Sequence, residues 1–317
     1  MEAMMASMED KWRWMLVTAI APVAWGSNYF VTRHYLPDSD PLWGALLRAL
    51  PAGILLLLLA RRLPRGSWWW RSAVLGTLNV GAFFILIYVA SQLLPSSIAA
   101  TIMATSAGVL MLLAWPLLGE RPRAVGVLAA ALGVGGVCVL LVGDDVTIAP
   151  WGVAASVLAM LMSSTGYVLT KRWASPESAL TMTSWQLVAG GLLILPFAVL
   201  IEGAPPVLDA PAVAGFAYVI VVATALAFVA WFTGLRHLRA STVGMIGLLN
   251  PVTGVLLGTA LAAEPFGLRQ AAGTALVLVG VIIASRQPSM RRQRARPRAG
   301  RRGTARPRAR SSPPAQS

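Results

Sequence analysis

Residues 14–33 read WMLVTAIAPVAWGSNYFVTR and residues 152–171 read GVAASVLAMLMSSTGYVLTK. Each is about the 20 mostly apolar residues that a helix needs to cross a bilayer. Slid over each other by 138 positions, they set Tyr29 on Tyr167, Thr32 on Thr170 and Arg33 on Lys171. The same register continues past the window, where Arg48 meets Gln186, Gly53 meets Gly191 and Leu55 meets Leu193. At a shift of 144, Leu94 meets Leu238, Ser97 meets Ser241 and Glu120 meets Glu264; at 147, Gly126 meets Gly273 and Gly133 meets Gly280. Small insertions account for the drift, so the chain reads as a duplication.

Working outward, ten stretches have spanning length: 14–32, 42–60, 72–90, 97–118, 124–142, 151–170, 179–201, 212–235, 241–263 and 268–285. The last is the weakest, because Arg269 and Gln270 shorten its apolar run, although an arginine near a helix end can snorkel to the interface. Each stretch is expected to be helical, since in lipid a segment must satisfy its own backbone groups. The alternating pattern of a membrane barrel is absent. The first stretch is too long for a signal peptide core, and no small-residue cleavage site follows it.

The connections carry most of the charge. Lys11 and Arg13, the loop with Arg61, Arg62, Arg65 and Arg71, and the pairs Arg121/Arg123, Lys171/Arg172 and Arg236/Arg239 fall on one side. The other side has Arg33 and Arg269 against Asp38, Asp40, Asp144, Asp145, Glu202, Asp209 and Glu264. Basic loops are cytoplasmic, so a multi-pass protein of the cell membrane is expected, with both termini inside. The alternation also checks the count of ten, because one helix more or fewer would scramble it. Trp68, Trp69 and Trp70 stand where the third helix enters, as an interfacial aromatic belt requires.

Composition agrees and excludes other classes. Hydrophobic residues make up 57% of the 317 positions and charged residues 12%, against roughly 25% charged in soluble domains. Cys138 is the single cysteine and the histidines are His34 and His237, so no disulfide framework, histidine-rich metal site or multi-cysteine cluster is expected, and no cofactor. Of the net charge of +14, eleven arginines belong to the acid-free tail from Arg286. The rest of the chain is nearly balanced.

Five helices is an odd number, so the two copies enter the membrane from opposite faces. The expected fold is an all-α membrane protein: ten transmembrane helices as two inverted five-helix repeats, residues 14–142 and 151–285, around a central cavity. Residues 1–13 form a cytoplasmic N-terminus and 286–317 an arginine-rich cytoplasmic tail. Inverted repeats let one scaffold adopt two mirrored openings, the logic of alternating access in secondary carriers.

Several motifs then carry a resemblance: Trp25-Gly26-Ser27-Asn28, Arg48, Leu118-Gly119-Glu120-Arg121-Pro122 with Gly126, Asn250-Pro251-Val252, and Glu264-Pro265 with Gly273. In this order, over about residues 14–285, the chain resembles the EamA-like branch of the drug/metabolite transporter superfamily. The resemblance implies ten helices, internal termini, a central cavity and movement of small metabolites, often export of amino acids, without fixing the substrate. One departure is visible. Pro251 aligns with Ala107, so a break that the proline makes in helix 9 has no proline to make it in helix 4.

Arg48 is the leading site candidate. It lies about 10 Å below the outer end of its helix at 1.5 Å per residue, where a charge costs roughly 2.5–3.5 kcal/mol on insertion scales. It either grips a substrate carboxylate bidentately or is structural, bonded to carbonyls loosened by Pro51 or to Asp40. Gln186 holds the place of Arg48 in the repeat, with Trp185 beside it. Trp25, Asn28, Asn79, Tyr88, Thr105, Trp231 and Asn250 complete the candidate cavity lining; each could equally make an interhelical contact worth roughly 0.6–2 kcal/mol. Asn250 and Pro251 could interrupt helix 9 and bare carbonyls. Glu120 and Glu264 stand at helix ends beside prolines, on opposite faces, and are read as loop or capping acids. No Asp, Glu, His or Lys lies mid-span, which argues against a carboxylate proton relay.

The expected partners are a small-molecule substrate and the bilayer. The tail, rich in Arg, Pro and Ser, is expected to be disordered; it could attract anionic lipid at about 1 kcal/mol per arginine, while the lack of interleaved aromatics argues against nucleic acid. Monomer and homodimer remain open. A scaffold or receptor would call for large soluble domains. An intramembrane enzyme would call for a nucleophile–base pair or metal cluster that the spans do not contain.

Overall fold

The computed structural model describes residues 2–37, 40–93, 102–141, 149–261 and 267–285. Among these residues there is no strand. The helices are α1 Glu2–Tyr35, α2 Pro41–Ala60, α3 Trp68–Gly76, α4 Ala82–Leu93, α5 Ser106–Leu118, α6 Ala124–Leu141, α7 Pro150–Arg172, α8 Ala179–Phe197, α9 Ala210–Tyr218, α10 Ala227–His237, α11 Ala240–Gly247, α12 Leu249–Leu261 and α13 Leu268–Ser285. Three π-helical segments join or extend them: Thr77–Gly81 links α3 to α4, Ala198–Glu202 prolongs α8, and Val219–Leu226 links α9 to α10.

Each apolar segment read from the sequence is helical where it is described, apart from single turn residues at Thr105 and Leu248. Among the described residues five rods are long and apolar enough to cross a membrane: Pro41–Ala60, Trp68–Ile87, Pro150–Arg172, Ala179–Glu202 and Ala210–His237. Ile102–Leu118, Ala124–Val139 and Ala271–Ile283 are shorter apolar helices. The first helix continues toward the N-terminus through most of residues 1–13. The arginine-rich tail and Glu264 lie outside the described residues.

Local chemistry sets the helix ends. Prolines open α2, α7 and α9, where a missing N–H costs nothing. The Ser178 hydroxyl caps α8 by accepting from the Thr181 N–H at 3.1 Å, and the Asp209 carboxylate caps α9 through the Ala212 N–H at 2.8 Å. The Glu202 carboxylate accepts from the Leu42 and Trp43 N–H groups at 2.8 and 2.9 Å, so the end of one rod caps the start of α2.

One expectation is corrected. The break near Pro251 occurs at Leu248, between α11 and α12, and the first half breaks as well. At Thr105 the chain turns before α5, with both the Thr105 hydroxyl and its N–H donating to the Ile102 carbonyl, at 2.6 and 3.1 Å. No proline stands at this break.

The helices pack as close pairs. α1 lies on α10 and α12; α4 and α5 lie on α7; α2 and α3 lie on α8; α5 meets α11, and α6 meets α13. Small residues allow the approach. A Cβ on Gly76 would stand 2.7 Å from the Gln186 carbonyl, and one on Gly280 2.9 Å from that of Ala129. Chain direction follows from the contacts. Trp14 stacks on His237 with centroids 3.7 Å apart, while the other end of α1, at Tyr35, faces Gly215 in α9, at the opposite end of the rod 210–237. Lys171, at the end of α7, donates to the Leu238 carbonyl just past α10. So α1 starts at the end of the bundle where α7 finishes, and the two run in opposite directions.

Candidate functional site

Arg48 sits two turns into α2, half-buried. Its Nε donates to the Thr224 hydroxyl at 3.3 Å, and its guanidinium lies 4.5 Å from the centre of the Phe84 ring. Thr224 belongs to the π segment 219–226 and Phe84 to α4. A π turn inserts an extra residue per turn and so re-aims a side chain, which is why such turns gather at functional sites. Arg48 thus joins α2, α4 and the rod of α9 and α10.

Gln186 and Asn79 make a second polar contact. Asn79, in the π segment 77–81, donates through Nδ2 to Gln186 Oε1 at 2.7 Å and more weakly to the Thr170 hydroxyl at 3.4 Å. Asn79 and Gln186 are 0% and 1% exposed, and Asn79 Oδ1 and Gln186 Nε2 are buried with no partner among the described residues. Gly166 makes the room: a Cβ there would lie 2.0 Å from Asn79 Oδ1. The neighbouring Trp185 does not share this pocket. Its indole N–H donates to the Arg62 carbonyl at 2.8 Å, at the basic end of the bundle, and its ring meets Trp68 at 5.9 Å.

Between these contacts runs a chain of rings. Phe84 meets Phe228 at 6.4 Å, Phe228 meets Trp25 at 5.3 Å, Trp25 meets Trp231 at 5.2 Å and Trp231 meets Tyr167 at 5.4 Å. The Trp25 indole donates to the Ala223 carbonyl in the π segment at 3.1 Å. The Trp231 indole N–H is buried with no partner among the described residues, and so is Asn28 Oδ1. Asn250 is half-buried beside α1, its carbonyl 2.6 Å from where a Gly26 Cβ would stand. Thr105 marks the break before α5. The Tyr88 side chain lies outside what the structure describes.

Glu120 stands apart from this layer. It is 6% exposed, pairs with Lys171 at 2.8 Å, lies 3.9 Å from Arg239, and caps α11 by accepting from the Ala240 N–H at 2.9 Å. The Arg239 guanidinium also donates to the Arg121 carbonyl at 2.9 Å. Three connections meet here: the loop after α5, the end of α7 and the loop after α10. Removing one member of such a buried group costs about 3–5 kcal/mol, because an uncompensated charge is left behind. The start of α1 joins the same face, where burial and then the charge of Arg239 lower the pKa of Lys11.

Sequence reasoning named Arg48, Gln186, Asn79 and Glu120 but missed Thr224 and Phe84 as the neighbours of Arg48, and Lys171 and Arg239 as the neighbours of Glu120. The last two were within reach, since the charge alternation already set Glu120, Lys171 and Arg239 on one face. Thr224 offers no such signal, because nothing in the sequence marks a π turn. Among the described residues no group of His, Cys, Asp or Glu could hold a metal ion.

The comparisons with known proteins agree with one another. The chain is 36% identical to protein PecM of Dickeya dadantii over 265 residues, 83% of this chain and 89% of that one. It is 28% identical to the uncharacterized inner membrane transporter YedA of Escherichia coli K12, over 83% and 87% of the two chains, and 25% identical to the uncharacterized transporter YvbV of Bacillus subtilis, over 87% and 92%. A solved crystal structure covers 86% of this chain and 96% of its own at a TM-score of 0.73 and 20% identity, which speaks to the fold alone. One family model matches residues 12–142 and again residues 150–286. With its membrane-length apolar helices, the chain is a multi-pass membrane protein, and it belongs to the EamA-like transporter family.

Proposed function

We propose that this protein is a secondary carrier that moves a small polar metabolite across the cell membrane by alternating access between two inverted five-helix repeats. The substrate class is amino acids or related compounds, the direction is export, and both termini face the cytoplasm. One observation carries the reading: the main pairings between rods recur when each rod is replaced by its repeat counterpart. The pairing of α1 with α10 corresponds to that of α7 with α4, and α1 with α12 corresponds to α7 with α5. The pairs α2/α8 and α6/α13 map onto themselves. Copies related by a two-fold axis pack like this. The opposite directions of α1 and α7 support it, as do the π segments, which begin 142 residues apart at Thr77 and Val219. In this reading Arg48 holds an anionic group of the substrate, and the Glu120–Lys171–Arg239 group closes the cytoplasmic end.

The test is flux. Purified protein in proteoliposomes is loaded with labelled amino acids and related metabolites, with and without a pH gradient. Saturable counterflow of a member of the panel is expected, and leak-level flux across the whole panel would sink the carrier reading. Arg48→Ala is expected to fold and to lose transport of carboxylated substrates only.

A further inference from the structure

Arg71 forms a cluster that the transport reading does not use. It stands in the first turn of α3, at the basic end of the bundle. Its guanidinium carbon lies 5.4 Å from the Trp68 ring, 5.6 Å from the Trp70 ring and 5.6 Å from the Trp173 ring. Trp173 caps the end of α7, and its ring meets Trp70 edge-on at 5.1 Å and 71°. Three indoles from two elements therefore hold one cation.

Aromatic faces fix a guanidinium in place by cation–π attraction, but they accept none of its five N–H donors. Among the described residues no hydrogen bond or ion pair involves the Arg71 side chain, and its Nε is buried without a partner. Two acids at the basic end of the bundle are engaged elsewhere, Glu177 with Arg62 at 2.9 Å and Glu120 with Lys171 at 2.8 Å. The loop leading into α3 adds exposed Arg61 and Arg65. What is missing is an anion.

The surroundings say which kind. Trp69 and Trp70 are 60% and 52% exposed, and Val74 one turn further along is 37% exposed. The cluster thus borders the apolar surface of the bundle, at the level where tryptophans line a membrane interface. An anion arriving there comes from a lipid headgroup, and a planar guanidinium matches a phosphate bidentately.

We propose that Arg71, with Trp68, Trp70 and Trp173, is a binding site for the phosphate of an anionic lipid in the leaflet that meets the basic loops. The headgroup clips the start of α3 to the end of α7, two elements from different copies of the duplication. Lipid charge therefore bears on the stability of that junction.

The experiment uses the full chain in a neutral detergent. Thermal unfolding is followed with added phosphatidylglycerol, phosphatidylcholine or inorganic phosphate, and retained lipids are counted by native mass spectrometry. A rise in Tm of roughly 2–4 °C is expected with phosphatidylglycerol alone, as for a ligand that binds the folded state. Arg71→Gln is expected to abolish that increment and one retained lipid. Arg71→Lys keeps part of it, and Arg123→Gln, at the same end, keeps all of it. An unchanged phosphatidylglycerol shift in Arg71→Gln overturns the site. An equal loss in Arg123→Gln assigns the effect to diffuse charge and overturns it too, and an equal shift from inorganic phosphate overturns the lipid assignment. If Arg71→Gln does not fold, the same readings on Arg71→Lys decide.

Discussion

The two copies place a polar residue at the same point of the second helix in each half, and then use it differently. Arg48 is charged, half-buried, and meets a hydroxyl and a ring. Gln186, 138 residues on, is neutral, fully buried, and meets an amide whose own oxygen has no partner among the described residues. Each contacts a π segment of the opposite copy, at Thr224 and at Asn79. Opposite Asn79 the second copy has Gly166, whereas the first copy has Asn28 in that repeat position. The architecture repeats while the chemistry does not. A frame with two equivalent halves can switch its opening, but a substrate needs recognition at one of the two places only. Substitutions in Gln186 should therefore act on stability, and substitutions in Arg48 on transport.

That contrast can be broken in four ways. The largest effect belongs to Gly166→Ala. A methyl 2.0 Å from Asn79 Oδ1 must push the amide aside, at a cost of about 1–3 kcal/mol typical of overpacking. Chemical or thermal unfolding in detergent checks it, and an unchanged midpoint would mean that the pocket yields freely. Next comes Arg48→Ala. A loss of roughly tenfold in flux of a carboxylated substrate, about 1.4 kcal/mol, is expected with little change in Tm. A large fall in Tm at unchanged flux would reverse the roles given to the two contacts.

Smaller effects sharpen the same contrast. Asn79→Leu and Gln186→Leu singly leave a buried amide unpaired, whereas the double replacement removes both needs. The cycle should show a coupling of roughly 0.6–2 kcal/mol, with the double variant near the wild-type stability. Additive losses would show that the two amides do not act as a pair. Truncation at Gln287 should leave flux unaltered, since the repeats end before it. A correctly inserted but inactive truncation would give the arginine tail a part in transport.

Much of this was legible in the chain. Apolar runs of spanning length marked the helices, because a backbone in lipid has no partner but itself. The shift of 138 that sets Tyr29 on Tyr167 disclosed the duplication, and the alternation of Arg61 to Arg239 against Asp38 to Glu264 ordered the ends. Breaks were harder. Pro251 drew attention to helix 9, yet the matching helix turns at Thr105 without a proline, a break that no residue type in the sequence marks.

The sequence by itself determined the class: a mostly apolar, sparsely charged, duplicated chain can satisfy its backbone only as membrane helices. The odd number of apolar segments per copy carried the expectation that the copies oppose each other. Only the tertiary structure decided which polar groups meet. Arg48 finds Thr224, Asn79 finds Gln186, and Glu120 finds Lys171 across separations of 176, 107 and 51 residues. The reason is physical. Helix formation answers to hydrogen bonds four residues away, but the partner of a buried charge or amide is fixed by packing, rotation and π turns that only the assembled bundle sets.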